Sequence, residues 1–399
     1  MIDFTLAPEH EAIRTRVRDF VDNVIKPAME PFGHRDEMPE SERGNYIKAL
    51  LGLRKEAVKQ GLWLPHMPKE YGGMGLDSLA YLLALEEIAA ADASVAVAMS
   101  VHNSLPTRML LTNGSEAQRR AFLPKMATGE WLGAFALSEP DAGSDAVALR
   151  AQAVRDGDDW ILEGTKAWVT NGNCAQVIIA MARTDTPADR KGARGISAFI
   201  ITPDLPGFRV SKKEQKMGLR ASPTVQLSFD QMRVPGDRLL GEAGQGFVYA
   251  MQSLEAGRLG IAAQAVGIAR AAVEASIAYA RERRQFGQPL TAFQAIQFKL
   301  ADMATEIEAS RQLMYYVCDE IDSKRRCDKE AAMVKFHASE MAERVTSEAL
   351  QVFGGAGYTT LHAVERYWRD ARLTKIFEGT SEIQQRIISD HLLGKQKAA

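Results

Sequence analysis

WLGAFALS, from Trp131 to Ser138, is where the texture of this sequence changes. Ahead of it apolar side chains recur at steps of three and four. From it onward they alternate, and the runs DDWILEG (158–164), KAWVT (166–170), QVIIAMA (176–182), GISAFIIT (195–202) and TVQLSFD (224–230) are separated by Gly, Asp and Pro turns. A period of two over short segments marks strands, so this region is expected to be a β domain, a barrel or a sandwich.

Upstream, Ile13, Val17, Phe20 and Val24 share one helical face, and Pro27 and Pro31 are expected to close that helix. Further amphipathic segments cover Tyr46 to Gln60 and, richer in alanine, Ser78 to about Ser100, with the Pro- and Gly-rich PHMPKEYGGMG (65–75) between them. The polar run HRDEMPESERGNY, within 34–53, reads as a solvated loop in preference to an insertion covering a pocket. Downstream of Gly246 long helices return. Ile296, Leu300, Met303, Ile307, Met314, Val317 and Ile321 keep one face, with the small Ser310 where a neighbouring helix can come close, so a helix bundle is expected. The fold class is therefore mainly α with a central β domain: a helical domain over 1–130, a β domain over 131–238 and a helix bundle over 239–399.

Composition narrows the function. With 49 basic and 51 acidic residues there is no global field to hold a polyanion, and nucleic acid is not an expected partner. Cys174, Cys318 and Cys327 fit neither a zinc site nor a redox pair, so no metal is expected and a reducing compartment is favoured. The first residues lack the apolar core of a signal peptide and no stretch reads as an uncharged membrane span, which gives a soluble, cytoplasmic protein.

Three patterns carry candidate chemistry, each with a plainer alternative. FALSEPDAGSDA (135–146) has Gly and Ser where backbone and hydroxyls can meet a planar or anionic ligand, or is only a turn between strands; WVTNGN (168–173) nearby reads by itself as a hairpin. RERRQFGQPLTAFQAIQ (281–297) sets Arg281, Arg283 and Arg284 where forked donors could clamp a diphosphate, ahead of a capped helix near Thr291, or is a solvated basic helix end. In QVFGGAGYTTLHAVERYWRDARLTKIFEGTSEIQ (351–384), Gly354, Gly355 and Gly357 permit close contact with a phosphate. Glu378 there precedes a helix start at Ser381 that Gln384 completes as a capping box, or is merely an acceptor near a helix N-terminus.

Together, and in this order, PKEYGG, FALSEPDAGSDA, KAWVTNG, LEAGRLGIAAQAVGIA, RRQFG, QVFGGAGY and IFEGTSEIQ resemble the acyl-CoA dehydrogenase family over essentially the whole chain. The resemblance implies an N-terminal helical domain, a middle β-barrel and a C-terminal four-helix bundle. It also implies one non-covalent FAD per subunit and a homotetramer that passes electrons to an electron-transferring flavoprotein. Carried over by position, Phe135, Leu137, Ser138, Gly143, Ser144, Trp168 and Thr170 would line the flavin. Arg283, Phe286, Gln351 and Gly355 would hold the adenosine diphosphate part of a neighbouring subunit's FAD; Gln294, Thr380 and Glu382 match further cofactor positions. Ser144, Glu255, Arg258 and Gly379 match acyl-CoA contacts.

The chemistry the resemblance implies is α,β-dehydrogenation of an acyl-CoA to the trans-2-enoyl-CoA. Glu378 would remove the α-proton, hydride would pass from Cβ to flavin N5, and the Glu378 N–H with a ribityl hydroxyl would hold the thioester oxygen. An oxidase of the same fold, using oxygen, is the alternative. Some family members carry the base directly before the arginine matching Arg258; here that position is Gly257, which leaves Glu378. AVAMSVHNSL (96–105) resembles the short-chain, short-branched and glutaryl types, and Ala96 stands where glutaryl types have an arginine, so a short or short-branched acyl group is expected.

Overall fold

The computed structural model describes residues 5–32, 40–186, 189 and 191–394. Helix α1 (Pro8–Phe20) buries Ile13, Val17 and Phe20, as their spacing requires. Pro27 does not close it. A π-helical turn at Val21–Ile25 is followed by α2 (Lys26–Met29) with Pro27 in its first turn, where the missing N–H is no loss. Helix α3 (Glu40–Lys59) takes up most of the polar 34–53 stretch and buries Tyr46, Leu50 and Leu53, so from residue 40 it is not a solvated loop; 34–39 lie outside the described residues.

The alanine-rich segment is two helices, α4 (Ser78–Ala91) and α5 (Ala93–His102). Asp92 breaks it: its backbone is extended and its carboxylate accepts from the N–H groups of Ser94 (2.8 Å) and Val95 (3.0 Å), capping α5. Helices α6 (Arg108–Asn113) and α7 (Glu116–Ala127) complete the N-terminal region.

Eight strands then form one sheet: β1 (Gly133–Ala136), β2 (Gln152–Asp156), β3 (Asp159–Thr170), β4 (Val177–Arg183), β5 (Ile196–Ile201), β6 (Phe208–Lys213), β7 (Thr224–Val234) and β8 (Leu239–Leu240). Their order is β6-β7-β3-β2-β4-β5-β8, with β1 parallel to β4. DDWILEG and KAWVT are one strand, β3, with register shifts between Leu162 and Gly164 and between Lys166 and Val169. WVTNGN is not a hairpin, since the turn leads into β4, which pairs with β1, β2 and β5 and not with β3. One face of the sheet curls around a core of its own, with Trp160, Leu162, Ile178, Phe199, Leu227 and Phe229 in a single cluster. Val177, Ile179, Met181 and Ile200 face the other way, into the core shared with the helices. Burial on both faces explains why β4 reads as a continuous apolar run.

The C-terminal region is α8 (Gly246–Glu282), a small hairpin of β9 (Arg284–Gln285) and β10 (Gln288–Pro289), α9 (Gln294–Asp322), α10 (Asp328–Phe353), α11 (Val364–Thr374) and α12 (Ser381–Leu393). Helix α10 packs on α8, α9, α11 and α12, and α8 also packs on α4. By length and mean hydropathy α8 is long and apolar enough to cross a bilayer, but it carries Glu255, Arg258, Arg270 and Glu274, and 72% of its most apolar window is buried inside the protein. It is a core helix. Helix α9 begins at Gln294 behind Phe293, not at Thr291, which lies in a 3-10 turn. Ser310 is buried, and its hydroxyl bonds the Glu306 carbonyl (2.9 Å) and His337 Nδ1 (3.0 Å) where α9 meets α10. Buried Glu86 and Glu87 of α4 pair with Arg311 (2.8 Å) and Arg270 (2.6 Å), while Arg18 of α1 reaches Glu87 (2.9 Å). These pairs, the Arg311–Glu86 one forked, fix α4 against α8 and α9.

Candidate active site

Glu378 lies in the short connection from α11 to α12, at φ +51, and Gly379 follows at φ +93. Two successive left-handed residues are strained wherever the first is not glycine, so the surroundings must hold them. Gln384 Nε2 donates to the carbonyls of Gly379 (2.9 Å) and Glu378 (3.3 Å), and Lys335 Nζ donates to the Gly379 carbonyl at 2.6 Å. The cap of α12 is Thr380, which accepts from the Ile383 N–H (3.3 Å), so the capping box expected at Ser381 is not formed; Gln384 braces the turn instead.

Both carboxylate oxygens of Glu378 are sealed from solvent and have no hydrogen-bond partner among the described residues. They lie against α8 at Gly257, where an added Cβ would overlap Oε2. Burial pushes the carboxyl up to about 7, against the opposing pull of Lys335 and Arg258. The hydroxyls of Tyr81, Ser100 and Ser253 are also buried without partners, and burial raises the Tyr81 phenol. A structural carboxylate would be hydrogen-bonded. One held dry, beside cations and with both oxygens free, is arranged to take up a proton.

The acyl-CoA candidates divide between two places. Arg258 is buried on α8 one residue beyond Gly257, with Nε unpartnered. Glu255 is half-buried within the same turn of α8; burial raises its carboxyl, and Arg258, Arg108 and Arg326 pull it the other way. Gly379 adjoins Glu378, whereas Ser144 lies in the exposed loop after β1.

That loop belongs to a shelf on the β domain. Half-buried Phe135 leads into buried Leu137, followed by half-buried Ser138 and by Gly143 and Ser144, both exposed. The loop is pinned from below: Lys166, wholly buried on β3, donates to Glu139 Oε1 (2.8 Å) and to the Leu137 carbonyl (3.1 Å), and burial brings its ammonium down to about 8. Glu139 also accepts from the N–H groups of Arg150 (2.7 Å) and Ala151 (2.8 Å). Trp168 sits in the irregularity of β3 at φ +60 and is 59% exposed, with Thr170 two residues on. A bulge turns the indole outward.

A second set lies on the helix bundle. Arg283 follows the end of α8, and Phe286, 93% exposed, is at the tip of the β9–β10 hairpin, with φ +50 there and +80 at Gly287. Gln294, Gln351 and Gly355 are exposed, and Gly355 has open space around it; Gly357 instead packs under Leu350 and Phe353. Thr380 caps α12 and Glu382 is exposed in its first turn. Among the described residues no hydrogen bond, ion pair or ring contact joins this set to the shelf. The donor chemistry fits FAD. The shelf offers an indole, hydroxyls and open backbone for a flavin, and the second set an arginine fork and glycine backbone for a diphosphate.

Three residues of the site escaped the sequence reading. Tyr81 had no visible signal within an apolar helix. Lys335 interrupts the stripe Ala331, Ala338, Ala342 and Val345, all buried on α10, and a charge in such a stripe is a detectable oddity. Lys166 lies in the alternating strand KAWVT at a position the fold buries.

The chain matches the acyl-CoA dehydrogenase N-terminal domain over residues 7–130, the middle domain over 134–232 and the C-terminal domain over 244–393. It is 46% identical over 386 residues to an acyl-CoA dehydrogenase of Bacillus subtilis (strain 168), covering 97% of this chain and 98% of that one. It is 44% identical over 388 residues to the mitochondrial short-chain specific acyl-CoA dehydrogenase of Homo sapiens, covering 97% and 91%. The butyryl-CoA dehydrogenase structure from Megasphaera elsdenii superposes with a TM-score of 0.91 at 39% identity, covering 98% of this chain and 100% of that one.

Proposed function

The chain belongs to the acyl-CoA dehydrogenase family of FAD-dependent oxidoreductases acting on acyl-CoA, and from that premise we propose that it oxidises the Cα–Cβ bond of a short or short-branched acyl-CoA with Glu378 as the base. The observation that carries the assignment is the Glu378 carboxylate, buried and unpartnered against Gly257. Relatives named short-chain specific and butyryl-CoA dehydrogenases support the short acyl group. So does Ala96, which is fully buried where an arginine would need an anionic partner.

Desolvation raises the proton affinity of Glu378 enough to let a carboxylate abstract a weakly acidic α-proton, and Lys335 and Arg258 keep it from being protonated outright. The Glu378 N–H, which has no backbone acceptor among the described residues, would donate to the thioester oxygen as enolate charge develops. Phe135, Leu137, Ser138, Gly143, Ser144, Trp168 and Thr170 would hold the flavin against this centre, Gln294, Thr380 and Glu382 would make further cofactor contacts, and Arg283, Phe286, Gln351 and Gly355 would hold the adenosine diphosphate part of a neighbouring subunit's FAD. When bound, FAD supplies the acceptor for the hydrogen leaving Cβ. Glu255, Arg258, Gly379 and Ser144 would receive the acyl-CoA.

An aromatic ring 93% exposed at a hairpin tip favours a partner surface, and we place Phe286 and Arg283 against a neighbouring subunit's cofactor in a homotetramer. A cytoplasmic location and electron-transferring flavoprotein as acceptor complete the reading, by family resemblance.

Anaerobic bleaching of the bound flavin by butyryl-, isobutyryl-, 2-methylbutyryl-, octanoyl- and glutaryl-CoA tests the reaction and the chain length. Rapid bleaching by a short member is the expected result; bleaching only by octanoyl- or glutaryl-CoA would sink the substrate assignment, and oxygen consumption during turnover would favour an oxidase. Because Glu378 must be ionised to act, kcat/KM should fall as pH drops below about 7 and level off above it, read from initial rates across pH. An acid limb near pH 4.5 would show that the carboxylate is not held dry.

A further inference from the structure

Lys335 occupies the apolar stripe of α10, and its wholly buried side chain ends on the turn that bears Glu378. Nζ donates to the Gly379 carbonyl at 2.6 Å. A buried ammonium ordinarily sits hydrogen-bonded to a carboxylate. This one has none within that reach among the described residues: Glu378, Glu340 and Glu382 act on it through space, and Glu340 is itself engaged by Lys375 (2.8 Å) and Ser381 (2.8 Å). The long side chain reaches one peptide carbonyl, and that carbonyl follows the candidate base.

The turn requires such a hold. Glu378 at φ +51 carries a steric penalty that glycine would not; the Glu378 carbonyl accepts from Gln384 of α12 (3.3 Å), and the next carbonyl, that of Gly379, accepts from both Gln384 and Lys335 of α10. Together these bonds hold both carbonyls of the turn from which the Glu378 side chain projects. On the reading that Glu378 is the base, we propose that Lys335 is a positioning residue for proton abstraction, holding the Gly379 peptide and placing a buried positive charge beside the Glu378 carboxylate.

The charge has a definite sign of effect. The groups facing Glu378 are Lys335 on α10, Arg258 on α8 and the neutral phenol of Tyr81 on α4. Burial raises the carboxyl and the two cations lower it, with the balance at about 7. The Lys335 ammonium is lowered by burial first and then by Arg258, while Glu378 first, then Glu340 and Glu382, favour its charged form. Removing Lys335 leaves Arg258 alone against desolvation, so Glu378 takes up its proton at a higher pH.

Lys335→Met and Lys335→Gln would be compared with the parent and with Glu378→Gln as FAD-loaded enzymes turning over butyryl-CoA across pH. In parallel, the infrared carbonyl stretch of the protonated Glu378 carboxyl, assigned by its loss in Glu378→Gln, would be titrated without substrate. Lys335→Met should lower kcat by about tenfold or more with KM within about threefold, the fold-change of one charged hydrogen bond. Its infrared titration should move up by about one pH unit. Lys335→Gln keeps a donor and loses the charge, so it should recover part of kcat while its titration stays moved. Parent kcat and an unmoved titration in Lys335→Met overturn the proposal. Should Lys335→Met fail to fold, the titration of Lys335→Gln decides, an upward move supporting the proposal and no move overturning it. The underlying reading fails separately: a Glu378→Gln enzyme with the parent rate would show that Glu378 is not the base, whatever Lys335 does to its titration.

Discussion

Glu378→Gln should give a folded, yellow protein whose reduction by butyryl-CoA is slower by about 10⁴-fold, the upper range for loss of a positioned general base. The amide has nearly the shape of the carboxylate, and neither carboxylate oxygen accepts a hydrogen bond among the described residues, so the substitution breaks no contact of that kind. It also removes a charge that is expensive to keep dry. Thermal stability should therefore hold or rise while the chemical step collapses, a combination that a merely structural glutamate would not produce. Lys335 loses one opposing charge but keeps its bond to the Gly379 carbonyl. Stopped-flow reduction together with thermal denaturation checks both halves, and more than about a tenth of the parent rate would remove Glu378 from the mechanism.

Gly257→Ala should cost at least about 10²-fold in the same reductive step, because the new methyl group takes the space of Glu378 Oε2 and pushes the carboxylate out of line. The obstacle is the end of a flexible side chain and not backbone, so the fold can give way by moving the base alone. Within a long helix alanine is favoured over glycine by about 1 kcal/mol, and stability should not fall for want of helix propensity. Loss of rate with an unchanged or higher melting temperature is the expected outcome. A Gly257→Ala enzyme as fast as the parent would mean that the working position of the carboxylate is not the one against α8.

These expectations show how unevenly the molecule was written into its sequence. The strands of the β domain were visible where alternation or continuous apolar runs marked them, as in β4 and β5, while β6, FRVSKK, is mostly exposed and carried no such mark. The helix ends were less legible. Pro27 looked like a stop and proved to be a tolerated first-turn residue after a π turn; Ser381 with Gln384 looked like a capping box, but Thr380 caps the helix and Gln384 bonds the turn before it. In each case the residue type suited two roles, and contacts from outside its own segment chose between them.

The sequence by itself determined the order of helices, sheet and helices, the family resemblance, and the choice of Glu378 over Gly257 as the candidate base. Those follow from side-chain period, turn chemistry and motif order, which act over a few residues. Only the tertiary structure decided that Glu378 is dry and unpartnered, that Gly257 makes the room it occupies, and that Lys335 and Lys166 are buried cations bonded to the Gly379 and Leu137 carbonyls. Burial and through-space charge depend on which distant segments are packed together, and that packing sets the proton affinity of the carboxylate.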